Sequence, residues 1–149
     1  MAPKMQGKAT LAGHPIHPML IPFPVAFLGG SILCDGISHW GDAVFWPRMA
    51  VALIGLGVIS ALVAAIFGVI DYLTAPMSAA AKKTGTMHLI ANVGAIAVFA
   101  VDYVVRSQNP TATLGYVLTI LGVLVLGVSG FLGGHLSYHY GVGVNRERT

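Results

Sequence analysis

The chain has 149 residues, of which 56% are apolar and only 9% are charged, and its mean hydropathy is +0.80. Soluble domains carry about a quarter charged residues, so this composition excludes an ordinary soluble domain and indicates one membrane domain over residues 1–149. The net charge of +3 comes from scattered basic residues that form no stripe, which argues against a partner nucleic acid.

The segment Gly13-His14-Pro15-Ile16-His17-Pro18 stands directly before the first apolar run. Each proline lacks a backbone N–H and disfavours helical backbone at the residue before it. We therefore expect His14 and His17 to lie in extended backbone close to polyproline II, with about three residues per turn. The two imidazoles should then point in the same direction at the N-terminal end of the first span.

Four apolar stretches follow that are long enough to cross a bilayer core of about 30 Å. We expect them at about residues 19–38, 48–73, 86–106 and 113–140. Lys82 and Lys83 fall in the connection before the third span, and Asn109-Pro110 makes the turn before the fourth. Because the connections are short, the predicted fold is all-α, an up-down four-helix transmembrane bundle.

Loop charge predicts the orientation of this bundle. The N-terminus, the second loop and the C-terminus carry two Lys or Arg each, against one each in the first and third loops. By the positive-inside rule, both termini are cytoplasmic. We expect a multi-pass protein in the lipid bilayer of a bacterial inner (cytoplasmic) membrane, and a homo-oligomer stays open.

An up-down bundle brings the starts of spans one and three to the same face as the ends of spans two and four. Five of the six histidines belong to that face: His14, His17, His88, His135 and His139. His88 and His135 lie at or inside the hydrocarbon boundary, where ionisable groups are costly and usually functional. His139 and the sixth histidine, His39, fit ordinary interfacial residues.

We interpret His14, His17, His88 and His135 as candidate cofactor or metal ligands. Two histidines from facing helices are the usual axial pair of b-type haem in a membrane bundle, and His88 with His135 is the predicted pair. Zinc or copper bound directly by three or four imidazoles is the alternative. The site also includes Asp71, a natural acceptor for an imidazole N–H, and Asn92, one turn beyond His88.

Other chemistries have less support in the sequence. No serine lies in a GxSxG-type elbow, which argues against nucleophilic hydrolysis. No charged path crosses the bilayer centre and no pair of helices is interrupted, which argues against transport. The predicted function is electron transfer, as a carrier or an accessory subunit with a redox partner protein or larger membrane complex, rather than enzymatic catalysis. The alternative is a non-catalytic structural membrane protein with a structural metal or no cofactor.

Several of these elements resemble a family of small bacterial membrane proteins of unknown function with an N-terminal GHPxHP signature. They are Gly13 to Pro24, the Asp-Tyr that ends span two, Met87-His88-x-x-x-Asn92, and Gly133-Gly134-His135-Leu136-Ser137-Tyr138 followed by Gly141-Val142-Gly143-Val144. The resemblance spans nearly the whole chain and carries over His14, His17, His88 and His135. Some relatives look linked to Rieske-type iron–sulfur domains, which implies a redox setting, although this chain holds no such domain.

Overall fold

The computed structural model describes residues 5–144, which form a bundle of helices preceded by a small β-hairpin. The elements are β1 (Thr10–Leu11), β2 (His14–Pro15), α1 (Ile16–Leu20), α2 (Pro22–Ile37), α3 (Phe45–Thr74), α4 (Ala79–Gln108) and α5 (Thr113–Tyr138). Together α1 and α2 form the first span, so the described chain has 4 helical segments long and apolar enough to cross a membrane. The predicted all-α, four-span fold is confirmed.

The segment before the first span folds back on itself. β1 pairs antiparallel with β2 through a turn in which Ala12 (φ 49°) and Gly13 (φ 82°) both have positive φ, as a two-residue type I′ turn requires. His14 is extended in β2, but His17 lies within α1, so the predicted polyproline presenter does not form. Pro18 stands in the first turn of α1, where a helix makes no use of the missing N–H.

The third span starts earlier than the predicted residue 86, because Ser78 caps α4 through its Oγ, which accepts the N–H of Ala81 at 3.2 Å. Lys82 therefore lies inside a helix and not in a loop. Its Nζ donates to the carbonyl oxygen of Tyr72 and lies 3.6 Å from the centre of the Tyr72 ring. These contacts join the end of α3 to the start of α4.

A narrow apolar core joins the helices. Leu28, Ile54 and Phe99 are buried in it. Leu28 lies against Gly57 and Phe99 against Gly122, where a Cβ would approach the side chain to 2.3 and 2.7 Å. Many large apolar side chains instead face outwards, among them Leu33, Leu62, Ile66, Ile90, Leu124 and Phe131. This arrangement suits a bundle in lipid, where helices associate through close packing at small residues.

The bundle consists of two equivalent helical hairpins, one made of α1, α2 and α3 and the other of α4 and α5. Buried residues of α2 match buried residues of α4 at an offset of 71: Pro24 and Ala95, Leu28 and Phe99, Ser31 and Asp102, Asp35 and Arg106. Each buried residue of α5 matches one of α3 at an offset of 65: Ala50 and Gly115, Ile54 and Thr119, Gly57 and Gly122, Ala64 and Ser129. The hairpins are thus related by a pseudo-twofold axis along the bundle.

Candidate functional site

A cavity of about 380 Å³ lies between the spans at the end of the bundle that carries the N-terminal β-hairpin. Most of its wall is apolar. Its polar side chains are those of His17, Asp71, Tyr72, His88, Asn92, Ser129, Ser137 and Tyr138. A concave apolar site with a few convergent polar groups is typical of small-molecule and cofactor sites.

His17 reaches the cavity from α1 and is held by α3. Its Nδ1 lies 2.8 Å from the carbonyl oxygen of Ala64. Because a carbonyl oxygen only accepts, Nδ1 carries the hydrogen, and the neutral ring has its lone pair on Nε2. Gly68, one turn after Ala64, makes room for the ring, since a Cβ there would lie 2.9 Å from Nδ1. No other residue among 5–144 bonds to Nε2, which leaves this atom open to a ligand.

His88 reaches the cavity from α4 and is held in the same way by α5. Its Nδ1 lies 2.9 Å from the carbonyl oxygen of Ser129, and Gly133 makes the space, with a Cβ there lying 3.0 Å from Cε1 of the ring. Nε2 accepts a hydrogen bond from Nδ2 of Asn92 at 3.0 Å. This ring is therefore neutral, with the hydrogen on Nδ1.

The two imidazoles are equivalent under the relation between the hairpins. His17 and His88 are 71 residues apart in sequence, like the matched core residues of α2 and α4. The residues that hold them, Ala64 with Ser129 and Gly68 with Gly133, are 65 apart, like the matched residues of α3 and α5. The ring centres lie 6.3 Å apart, with the ring planes at 77°. The structure thus places one imidazole from each hairpin at the cavity, on either side of the pseudo-twofold axis.

Asp71 lines the cavity, but its observed bond goes to backbone. Its Oδ1 accepts the N–H of Ala9 at 3.1 Å, whereas both Nδ1 atoms of the imidazole pair donate to helix carbonyls. The N–H of Gly143 donates to the carbonyl oxygen of Met5 at 2.9 Å. These bonds fasten the N-terminal segment to α3 and to the residues after α5, so Asp71 holds this segment and makes no hydrogen bond to an imidazole among the described residues.

Two of the predicted ligands lie elsewhere. His14 is exposed in β2, with Nδ1 3.1 Å from the carbonyl oxygen of Ala12. His135 stacks on the rings of Phe131 and His139, with ring centres 6.3 and 4.5 Å away. Gly133 faces His88, and a step of two residues turns His135 about 200° around α5. The described structure thus brings His88 next to His17, whereas His135 lies on another side of α5.

Within residues 5–144, no three or more His, Cys, Asp or Glu side chains form a group that could hold a metal ion. The three or four imidazoles considered for zinc or copper are thus not assembled by the described residues.

A buried charge cluster at the opposite end of the bundle was assigned no role from the sequence. Arg106 has no exposed surface and donates from Nη1 and Nη2 to the two carboxylate oxygens of Asp35, at 2.8 and 2.6 Å. Nη1 also donates to Oγ1 of Thr119 at 3.2 Å, and this hydroxyl donates to Oδ2 of Asp102 at 2.7 Å. The signal in the sequence was the presence of three ionisable residues within apolar spans.

Comparison with known proteins places the chain in a family but adds no activity. No curated protein and no solved structure matches it. The family model described as "Predicted membrane protein (DUF2231)" matches residues 13–146. This range includes all four spans and both imidazoles at the cavity. Because the match covers most of the sequence, the chain belongs to the DUF2231 family of predicted membrane proteins.

Proposed function

We propose that this protein transfers electrons in the membrane through a b-type haem, which His17 and His88 would hold. The observation that carries the proposal is the separation of 6.3 Å between the ring centres. Two imidazoles that bind one metal ion from opposite sides have ring centres about 6 Å apart, because each nitrogen–metal bond is about 2 Å long. A bound haem would supply a one-electron couple, whose potential depends on axial ligands and burial.

The side chains around the cavity fit such a group. Both rings donate Nδ1–H to a helix carbonyl, which fixes the tautomer and leaves Nε2 as the metal-binding atom. Among residues 5–144, no side chain bonds to Nε2 of His17, and the Asn92 amide bonds to Nε2 of His88 at 3.0 Å. Asn92 also donates to the carbonyl oxygen of His88 at 3.0 Å, so it keeps one partner when it releases the ring.

The chain positions the ligands through backbone and small residues. The carbonyl groups of Ala64 and Ser129 set the direction of each ring, and Gly68 and Gly133 let each ring approach its helix closely. Asp71 holds the N-terminal segment next to the end of α3 through the N–H of Ala9. The mostly apolar wall of the cavity is the kind of environment that sets a cofactor's potential.

The setting of this site is part of the proposal. The basic residues at the two termini and at the start of α4 outnumber those at the other end of the bundle, Arg48 and Arg106, which supports a bacterial inner-membrane protein with both termini in the cytoplasm. The haem would then lie near the cytoplasmic face and exchange electrons with a redox partner protein or a larger membrane complex. The resemblance to relatives linked with Rieske-type domains supports this redox setting.

Optical spectroscopy of the purified protein, expressed with sufficient haem, tests the proposal. We expect a low-spin Soret band in the wild type and its loss in His17→Ala and in His88→Ala. His135→Ala and His139→Ala are matched controls, since they remove the same side chain at the same end of the bundle and should keep the band. A wild type that binds no haem, or His17→Ala and His88→Ala variants with unchanged spectra, would refute it.

A second function is favoured by one observation. Each imidazole already joins two helices of its own hairpin, His17 from α1 to α3 and His88 from α4 to α5, without any cofactor. Under this alternative the protein is a non-catalytic membrane scaffold. It predicts a colourless wild type in which His17→Ala and His88→Ala lower the free energy of unfolding while haem supply during expression has no effect.

A further inference from the structure

The charge cluster formed by Asp35, Asp102, Arg106 and Thr119 contains one more acid than base. Arg106 is already paired with both oxygens of Asp35, which is a complete bidentate ion pair. Asp102 has no exposed surface, and the charged groups that act on it are Arg106 and Asp35. With both acids ionised, the described cluster would carry one uncompensated negative charge inside a membrane span, which is costly.

The other titratable neighbours do not supply the missing positive charge. Cys34 lies buried on α2 beside Asp35, and Tyr116 on α5 lies under the Arg106 guanidinium, 4.9 Å from Cζ to the ring centre. Both side chains are neutral or become negative. His39, which can become positive, contacts the Tyr116 ring with the ring centres 6.2 Å apart, but it is not among the groups that act on Asp102. Among the described residues, α3 adds no titratable group to those acting on Asp102.

The hydrogen bonds among the described residues of the cluster involve only one carboxylate oxygen of Asp102. Oδ2 accepts from Thr119, but Oδ1 is buried and has no hydrogen-bond partner among residues 5–144. A Cβ at Gly115 would lie 3.2 Å from Oδ1, so the glycine keeps the space beside this oxygen small but open. An ionised carboxylate without water and with one bare oxygen costs far more than a neutral acid.

The relation between the hairpins shows that the fold does not require this acid. The residue equivalent to Asp102 is Ser31, whose Oγ donates to the carbonyl oxygen of Leu28 at 2.7 Å. The residue equivalent to Thr119 is Ile54, in the apolar core. A second acid thus flanks the Asp35–Arg106 pair on one side only. At the equivalent position of the first hairpin, the small hydroxyl side chain of Ser31 takes its place.

We propose that Asp102 is a proton-binding site within the membrane domain. At rest it is a neutral acid with the proton on Oδ1. Loss of the proton to water breaks the O–H bond and leaves a carboxylate, which accepts from Thr119, whose hydroxyl in turn accepts from Arg106. Asp102 precedes the end of α4 at Gln108 by six residues, or about 9 Å along the helix, so the proton has a short way to the aqueous face. This inference does not rest on haem binding.

Infrared spectroscopy of the full-length protein in liposomes tests the proposal, with pH as the variable and isotope-labelled aspartate for assignment. We expect a carboxylic-acid C=O band at neutral pH that disappears reversibly at high pH. The band should be absent from Asp102→Asn and present in Asp42→Asn, which removes an exposed acid. A wild type with only carboxylate bands at neutral pH overturns the proposal without any variant.

Unfolding of the same proteins gives a second, independent measurement. Asp102→Asn copies the neutral acid, so it should match wild-type stability at neutral pH, whereas Asp35→Asn leaves Arg106 without its anion and should be much less stable. Loss of the proton leaves a buried charge, so wild-type stability should fall as the pH rises, and Asp102→Asn should remove that dependence. The wild type could instead show no carboxylic-acid band and a stability that depends on sodium at constant pH and ionic strength. That result would overturn the proposal and indicate that the site binds a cation.

Discussion

Replacement of Asp35 with alanine tests how much the buried ion pair contributes to the stability of the bundle. The change removes both acceptors of the Arg106 Nη1 and Nη2 atoms, which lie 2.8 and 2.6 Å from the carboxylate oxygens. The bonds that remain to the guanidinium go from Nη1 to Thr119 and from Nε to the carbonyl oxygen of Pro110 at 3.0 Å. A buried charge that loses its partner costs about 3–5 kcal/mol.

This loss is a large share of the about 5–15 kcal/mol by which folded domains are typically stable. Reversible unfolding in mixed detergent–SDS micelles, followed by circular dichroism, measures it. Asp42→Ala serves for comparison, because it removes an exposed acid that accepts the N–H groups of Val44 and Phe45, and loss of such a cap costs less than loss of a buried ion-pair partner. An Asp35→Ala protein within about 1 kcal/mol of the wild type, as for a surface pair, would contradict the burial of the pair.

The same experiment contains an internal check on Asp102. Without Asp35, ionised Asp102 can serve as the anion for Arg106 through Thr119. The double variant Asp35→Ala/Asp102→Asn should therefore lose more stability than the two single changes added together, since residues of one network are coupled. Additive losses would show that Asp102 does not act on Arg106.

Three further predictions concern the cavity, the first loop and the orientation. Gly68→Val and Gly133→Val should both weaken haem binding, because a Cβ would lie 2.9 and 3.0 Å from the imidazoles, whereas Gly127→Val, with open space around it, should not. The N–H groups of Val44 and Phe45 hold the pKa of Asp42 below its usual value of 3.8. The stability from this acid is thus present above that value and lost as the pH falls through the lower folded pKa, and Asp42→Asn should flatten the acid limb of the stability curve. Alkaline phosphatase fused after Thr149 should be inactive and a fluorescent protein there bright, and the reverse pattern would place the histidines outside.

Much of the fold follows from composition and the length of the apolar runs. Charge content and hydropathy predict four spans, and short connections predict sequential antiparallel packing. The start of α4 was missed because Lys82 and Lys83 resemble loop residues on charge alone. The Ser78 cap and the Lys82–Tyr72 contacts show why the helix continues through them.

The sequence predicts the depth at which the candidate histidines lie in the bundle, but not which side of its helix each histidine occupies. Counting along the helices puts His88 and His135 at similar depth, yet only the side of α5 that faces α4 can contribute to a shared cavity. That side is marked in the sequence by the small residues Gly122, Ser129 and Gly133, which are spaced by about two helical turns and by one. His135 is two positions away from the last of these, on a different side of the helix.

The equivalence of the two hairpins was also missed, because it involves spacing more than residue identity. His17 and Leu28 are 11 apart, as are His88 and Phe99, but most other matched residues differ. The charge cluster could not be predicted because Asp35 and Arg106 are 71 residues apart in sequence. Their contact depends on how the hairpins pack, which composition does not determine.

Opposite charges at equivalent positions have a consequence for which hairpins can associate. In a dimer of two identical hairpins, the residues at equivalent positions would be the same. Two copies of the first hairpin would place Asp35 against Asp35. Two copies of the second hairpin would place Arg106 against Arg106. The first assembly buries two acids without a counter-ion, and the second buries two Arg106 side chains that only Asp102, acting through Thr119, could compensate. The mixed pairing avoids both costs. The ion pair at 2.6 Å therefore selects the first hairpin as the partner of the second. Exchange of hairpins between two chains would preserve this choice, because every Asp35 would still meet an Arg106.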